Sequence, residues 1–521
     1  MADEELSPTL PHRRDAIKSS VHNIAANRRR QHAIAVGKER REALIRTKRL
    51  CRDSLADDSE VPLEGHMIID EEKAVLDSKT SRTVEELKSA MTYQGKGAIQ
   101  KKVEILRALR RLLSQSEVPP IKAALQAGAV PALVQCLSFG STDEQLLEAA
   151  WCLTNIAAGE PEETKSLVPA LPLLIAHIGE KSAAAVAEQC AWALGNVAGE
   201  GEELRNILLA QGALLPLARL MLSNKGSPTR TAAWALSNLI KGPDSRAANE
   251  LIRIDGVLDS ITQHLQKADD ELATEVAWVV VYLSALSEKA ISLLVKSDAA
   301  QLLVARLVAS ESLQLLIPVL RSLGNLVAGS SYMIDSVLMS GHNITDQLLS
   351  GLIKCLKSEH RVLKKEAAWA LSNIAAGTCE HKKLIFSSEA TSLLMHLLSS
   401  APFDIRKEAA YTIGNICVTT EKDAEQPCII VTHLVSLVNK GCLPGFINLV
   451  RSADLESARL GLQFLELVMR GMPNGEGPKL VEREDGIDAM ERFQFHENEE
   501  MRNMANGLVD KYFGEDYGLD S

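Results

Sequence analysis

Five tryptophans, all that the chain contains, stand at Trp151, Trp192, Trp234, Trp278 and Trp369. Four of them are followed four residues later by an amide: Asn155, Asn196, Asn238 and Asn373. Trp278 is followed instead by Tyr282, and two variants carry Arg321 with Asn325 and Tyr411 with Asn415. Residues four apart on a helix lie on one face, a turn apart. A primary amide offers two donors and an acceptor, enough to clasp a peptide group without reading its side chain. The slot between two neighbouring indoles fits the methylene stem of a lysine or arginine, and each cation–π contact contributes ~0.5–2 kcal/mol. Acids at the slot's end would fix the charge. The chemistry implied is non-covalent capture of an extended basic peptide.

A lone tryptophan at helical spacing is usually core. Five in phase, most with a polar residue four on, argue otherwise, because a row of buried amides would need a partner for each. We therefore expect both rows to face an exposed groove. Packed helices lie ~8–10 Å apart, and an extended peptide advances ~6.5–7 Å per two residues, so the rows can meet such a chain at regular intervals. Arg321 interrupts them, since a cation cannot serve a slot for cations. Two pockets follow, one at Trp151, Trp192 and Trp234 with Trp278 at its edge, the other at Trp369 and Tyr411.

The elements that position these side chains recur at intervals of 41, 42, 44, 43, 48 and 42 residues. A period of ~40–47 residues with a helical signature is that of armadillo or HEAT repeats. Between the Trp-bearing stretches run apolar helices such as "ALLPLARLML", entered through Gly-Ala turns as in "QAGAVPALVQCL" and "AQGALLPLARLML". No single unit buries its apolar faces alone, so the units must stack. The expected fold is all-α, a right-handed superhelical solenoid of about ten armadillo repeats between Gly95 and Phe513, with a flexible basic N-terminal arm.

The chain has 521 residues and a net charge of −11, with only 4% aromatic residues. Between Arg13 and Arg52 thirteen basic residues face three acids, so that segment carries +10 and the remainder −21. Such an asymmetry calls for a partner. The arm is too poor in apolar residues for a core. It also lacks the aromatic interleaving that would stack nucleic-acid bases. The nine cysteines are scattered and form no CxxC pair, which reads as reduced thiols of an intracellular protein. No apolar run reaches the ~18–20 residues of a membrane span, and no signal peptide opens the chain. There is no phosphate-binding GxxxxGK[ST], no HExxH and no metal-ligand spacing, so catalysis, cofactor and metal are not expected. A catenin-type armadillo scaffold is the alternative reading, but its groove suits acidic ligands rather than basic ones. The expected divisions are 1–57 basic arm, 58–94 acidic flexible linker, 95–513 solenoid and 514–521 acidic tail.

The wording "CLTNIAAG", "WALGNVAGEGEE" and "FQFHENEEMRNMANGLVDKYFGED", with the arginine break and the basic arm, closely resembles the importin alpha family, and its divergent plant form most. The resemblance covers nearly the whole chain. It implies an adaptor that reads nuclear localisation signals and shuttles between cytoplasm and nucleus. By that resemblance the major signal site is Trp151, Asn155, Gly159, Thr164, Gln189, Trp192, Asn196, Glu200, Trp234 and Asn238, with Glu200 as the acid that pairs with the signal's key lysine. The minor site is Trp278, Arg321, Asn325, Glu366, Trp369, Asn373, Glu408, Tyr411 and Asn415, where Tyr411 stands in place of the usual tryptophan. The arm, through Arg13, Arg14, Lys18, Arg28, Arg29, Arg30, Lys38, Arg40, Arg41, Arg46, Lys48 and Arg49, would bind importin beta. It would also fold back on the groove through the sparse run Lys48-Arg49-Leu50-Cys51-Arg52. Further partners implied are cargo proteins, an export receptor with Ran-GTP at the C-terminal repeat, and nuclear pore proteins indirectly. No nucleic acid or membrane insertion is implied.

Overall fold

The computed structural model describes residues 66–514, apart from 94, 96, 115–117, 180, 329, 340–342 and 419–426. The basic arm, the first part of the expected linker and the tail beyond Gly514 lie outside the described residues. Among the described residues every regular element is a helix. The chain forms two compact units, one ending at Leu293 and one beginning at Leu294.

In the first unit the repeating long helices are α1 (Ala98–Leu112), α2 (Asp143–Ile156), α3 (Ala184–Glu200), α4 (Ser227–Ile240) and α5 (Asp270–Leu286), and each packs on the next. In the second they are α6 (Leu313–Val327), α7 (Arg361–Ala375), α8 (Phe403–Ile416), α9 (Leu455–Gly471) and α10 (Glu499–Phe513), again packed in sequence. The ten helices match the expected repeat number. Shorter helices fill the intervals, as Glu202–Ala210 and Leu214–Leu222 do between α3 and α4. The Gly-Ala turns sit where expected: Gly128 and Gly212 have φ of 81° and 80°, a left-handed conformation that side chains with a Cβ adopt at a cost.

Close packing of the long helices follows from what they carry on their facing sides. Ala149, Ala150, Ala191, Ala232, Ala233, Ala367 and Ala368 are fully enclosed, and such small side chains let neighbouring axes approach. Gly195 goes further. A Cβ placed there would stand 2.2 Å from Cζ3 of Trp234, and one on Gly324 would stand 2.1 Å from Cζ3 of Trp369. The bare backbone three residues after one lead position is thus the seat for the next repeat's indole.

The stretch read as a linker is corrected in its second half. His66–Thr92 is a 27-residue helix that packs on α1. Thr80, Thr83, Val84, Leu87 and Ala90 are buried, a stripe at three- and four-residue spacing. Two of its members are threonines, which weakened the apolar signal. The helix covers the end of the stack, where α1 would otherwise expose its outer face.

The cysteines at 136, 152, 190, 355, 379, 417 and 442 are buried. Burial pushes the thiols of Cys136 and Cys355 up to about 11 and those of Cys190 and Cys442 up to about 12, so they pack as small apolar groups rather than react. Among the described residues no single helix is long and apolar enough to cross a membrane.

The seat at Gly195 predicts the outcome of filling it. Gly195→Ala forces the Trp234 ring, a rigid side chain, away from α3, at an overpacking cost of about 1–3 kcal/mol. Urea unfolding of the full chain measures this. An unchanged midpoint would mean that the indole is not seated against the Gly195 backbone.

Candidate functional site

Each lead residue projects from the same position of its long helix, and the amide four residues on lies one turn beyond it. The amides are not loose ligands awaiting a partner. Asn155 Nδ2 donates to the Arg110 carbonyl at 3.4 Å, Asn196 to Thr154 at 3.2 Å and Asn238 to Gly195 at 3.2 Å. In the second unit Asn373 donates to Gly324 at 3.0 Å and Asn415 to Ser372 at 2.9 Å. Every one of these acceptors belongs to the preceding long helix. These five amides are therefore staples between repeats, and three of them, Asn155, Asn196 and Asn238, are buried. The expectation that such a row could have no role in packing is corrected. The partners it needs lie about one repeat back in the chain.

The staple also orients the amide. A carbonyl can only accept, so the nitrogen of the Asn must face it and Oδ1 must point elsewhere. Asn196 Oδ1 is buried and has no hydrogen-bond partner among the described residues. One N–H of the same amide is committed to Thr154, which leaves one donor and one acceptor in fixed directions. At Asn238 the oxygen accepts from Lys241 Nζ at 3.3 Å.

The indoles divide into two classes. Trp151, Trp192 and Trp369 are partly exposed, as is Tyr411. Trp234 and Trp278 retain only 3% and 4% exposure, against the expectation of five open platforms. Trp234 is held down by its seat on Gly195, and Trp278 stacks on Tyr282 with ring centroids 6.1 Å apart.

Several further residues expected in the major site serve the scaffold. Gln189 is buried and donates to Thr154 Oγ1 at 2.8 Å, tying α3 to α2. Thr164 is fully enclosed and donates to the Ala157 carbonyl at 3.2 Å, closing the end of α2. Gly159 lies against the Glu163 carboxylate, which a Cβ would meet at 2.1 Å. Glu200 ends α3, half-buried.

In the second unit Arg321 and Glu366 form a buried ion pair, Nη2 to Oε1 at 2.7 Å, with both side chains less than a tenth exposed. Glu366 thus meets a cation of its own chain rather than standing open. Glu408 is buried three residues before Tyr411. The Tyr411 hydroxyl donates to Glu456 Oε1 at 2.7 Å, and Lys407 Nζ meets Asp454 and Glu456 at 2.6 and 2.8 Å. Leu460 approaches Gly414 at 3.8 Å from its Cβ position, the seat an indole takes elsewhere. These closing residues were not anticipated from the sequence, because α9 carries neither Trp nor Asn at the phased positions.

One other feature escaped the sequence reading. Arg110 lies 41 residues before Trp151, the same interval that separates Trp151 from Trp192, and so holds the lead position of α1. Its guanidinium lies 4.2 Å from the centre of the Trp151 ring. Its Nε is 2.6 Å from Glu148 Oε2, and Arg107 Nε reaches the other oxygen at 3.1 Å. Hydrogen bonds to Glu144 first and Glu148 second hold the Arg107 pKa above its ordinary value.

Among known proteins, the Armadillo/beta-catenin-like repeat matches residues 117–158, 344–376 and 378–418, and the HEAT-like repeat matches residues 143–197. The chain is 70% identical to importin subunit alpha-2 of Oryza sativa subsp. japonica and 67% identical to importin subunit alpha-9 of Arabidopsis thaliana. Each alignment covers 100% of both chains. The crystal structure of an engineered protein superposes with a TM-score of 0.70 at 25% identity, covering 82% of this chain and 98% of the other.

The amide staple predicts a graded response at one position. Asn196→Ala removes a buried donor and leaves the Thr154 carbonyl without it, at a cost of about 1 kcal/mol. Asn196→Asp turns an acceptor toward that carbonyl and costs more. The order wild type, alanine, aspartate in urea midpoint is the expected result, and an aspartate variant as stable as wild type would rule the staple out.

Proposed function

The chain belongs to the importin alpha family, and from that premise we propose that it is a nuclear import adaptor that holds basic nuclear localisation signals along its rows of indoles and amides. Monopartite signals would use the first row, Trp151 to Trp234, and signals with two basic clusters would use the second, at Trp369 and Tyr411, as well. The observation that carries this reading is the fixed amide of Asn196: its remaining N–H and its unpartnered Oδ1 are the complement of one peptide group. Orientation by the staple lowers the ordering cost of binding, since the amide need not be immobilised by the ligand. Beside it Trp192 offers a partly exposed face for a lysine or arginine stem, and Glu200 supplies charge at the end of the same helix. The reading is one of binding, without catalysis.

The arm, residues 1–57, is proposed to bind importin beta and to compete weakly for the groove. Tethering gives even a poor mimic a high local concentration. Release of the arm by importin beta would then raise cargo affinity, and the coupling is reciprocal. Export in company with Ran-GTP through the C-terminal repeat, and passage of nuclear pores in such complexes, complete a shuttle between cytoplasm and nucleus. The −21 charge of the chain outside the arm segment favours encounter with basic partners.

Two titrations test this. A fluorescent lysine-rich signal peptide is expected to bind the full chain and to lose at least tenfold in affinity, about 1.4 kcal/mol, with Glu200→Lys. Unchanged binding would remove Glu200 from the site. Deleting residues 1–57 is expected to tighten the same peptide by about 1–2 kcal/mol. Equal affinity with and without the arm, at two salt concentrations, would show that the arm does not visit the groove.

A further inference from the structure

We propose that Arg110 is a resident occupant of the first cation slot, a plug supplied by the chain itself that fixes where the basic row begins. The inference deepens the reading of the groove as a basic-peptide site and rests on it.

The argument starts from position. Arg110 holds in α1 the place that Trp151 holds in α2 and Trp192 in α3, and its own carbonyl receives the next repeat's amide, Asn155. The backbone of the slot is therefore complete. What differs is the side chain. A ligand lysine or arginine in a slot would lay its cation against an indole and meet a carboxylate beyond it. Arg110 does both: its guanidinium covers the Trp151 face at 4.2 Å, within the range of a cation–π contact, and it is paired to Glu148, a carboxylate only 8% exposed. Glu148 lies three residues before Trp151, in the phase that brings it to the same slot. The Arg110 side chain is itself 18% exposed, so it sits at the floor of the row rather than outside it.

The second unit repeats the device. Arg321 holds the lead position of α6, and it pairs with Glu366, which lies three residues before Trp369. In each unit the first indole of a row is thus preceded, one repeat back, by an arginine held to the glutamate three residues before that indole. A ligand cation arriving beside Arg110 would meet a like charge on an occupied ring, so a basic segment is confined to the slots beyond Trp151. Arg110 is in this sense a positioning residue for register: it limits how many basic residues one row can read.

The test uses the full chain and two probes. The short probe has three consecutive basic residues flanked by glycine and serine. The long probes carry one further lysine two residues beyond the cluster, at one end or the other, the distance that spans neighbouring slots. Wild type is expected to bind short and long probes alike. Arg110→Met keeps the stem's packing, removes the charge, and leaves Glu148 shared only with Arg107. It is expected to bind one of the long probes about five- to tenfold more tightly than the short one, the size of one cation–π contact with an acid. Arg219→Met removes one exposed cation on a shorter helix and controls for net charge; it should leave the long-to-short ratio at the wild-type value. Arg110→Gln gives the same readout should the methionine variant prove unstable by circular dichroism. A ratio unchanged from wild type in both folded Arg110 variants overturns the plug. Failure of wild type to bind the short probe at all would overturn the groove reading instead.

Discussion

At the ends of α2 and α6 a carbonyl is left short of a donor from its own helix, and the amide of the next repeat supplies one. At the end of α2, Ala157 donates to Leu153 and Ala158 to Asn155, so the Thr154 carbonyl between them is met by Asn196 from α3. The same holds in the second unit, where Ala328 donates to Asn325 and the Gly324 carbonyl is met by Asn373. Buried carbonyls left unpaired are costly, so these lateral bonds stabilise the stack; at Ser372 the carbonyl takes both Ala376 of its own helix and Asn415 of the next. The seat for the next indole lies at the same residue, Gly195 or Gly324. One backbone position thus takes both the amide and the ring of its neighbour, and the spacing of four between Trp and Asn is what lets a single helix deliver both.

The same packing fixes orientation as well as spacing. A ring seated by one edge on glycine keeps its faces in a fixed orientation, and an amide stapled by one N–H keeps its oxygen in a fixed direction. Groups held in this way would meet a ligand already ordered, which lowers the entropic cost of binding. The arrangement also sets a limit. Trp234 and Trp278 are drawn far into the stack, so most of their ring area goes to the scaffold. Gln189 and Thr164 are likewise enclosed, each with a hydrogen bond to the scaffold.

How much of this was legible depended on whether the signal was periodic. The repeat length, the all-helical class, the ten long helices and the phase of Trp151, Trp192, Trp234, Trp278 and Trp369 all follow from spacing. The staple partners do not, because a bond from Asn196 to Thr154 joins residues 42 apart and leaves no mark in a local pattern. Resemblance to a family carried Thr164 and Gln189 into the site as a set, yet only coordinates separate a side chain that lines a groove from one that closes the helix beneath it. The helix His66–Thr92 was hidden by its composition: threonines at 80 and 83 occupy buried positions that pattern reading reserves for apolar residues. Arg110 was legible and missed. Its interval of 41 residues is in the sequence, but a cation stands there where most other lead positions carry an aromatic ring.

The two rows differ in kind as well as in length. The first continues from Trp151 through Trp192 and Trp234 before Tyr282 replaces the amide. The second has one indole, Trp369, between the Arg321–Glu366 pair on one side and Tyr411 on the other. Tyr411 is tied by its hydroxyl to Glu456, and Glu456 is drawn in turn to Lys407. A tryptophan at 411 would present a larger ring and no hydroxyl, so it could not hold Glu456 in this way. The acid that closes the second row is therefore committed to the chain's own phenol and ammonium. Lys407 already holds that acid, whereas in the first row Asn196 Oδ1 has no hydrogen-bond partner among the described residues.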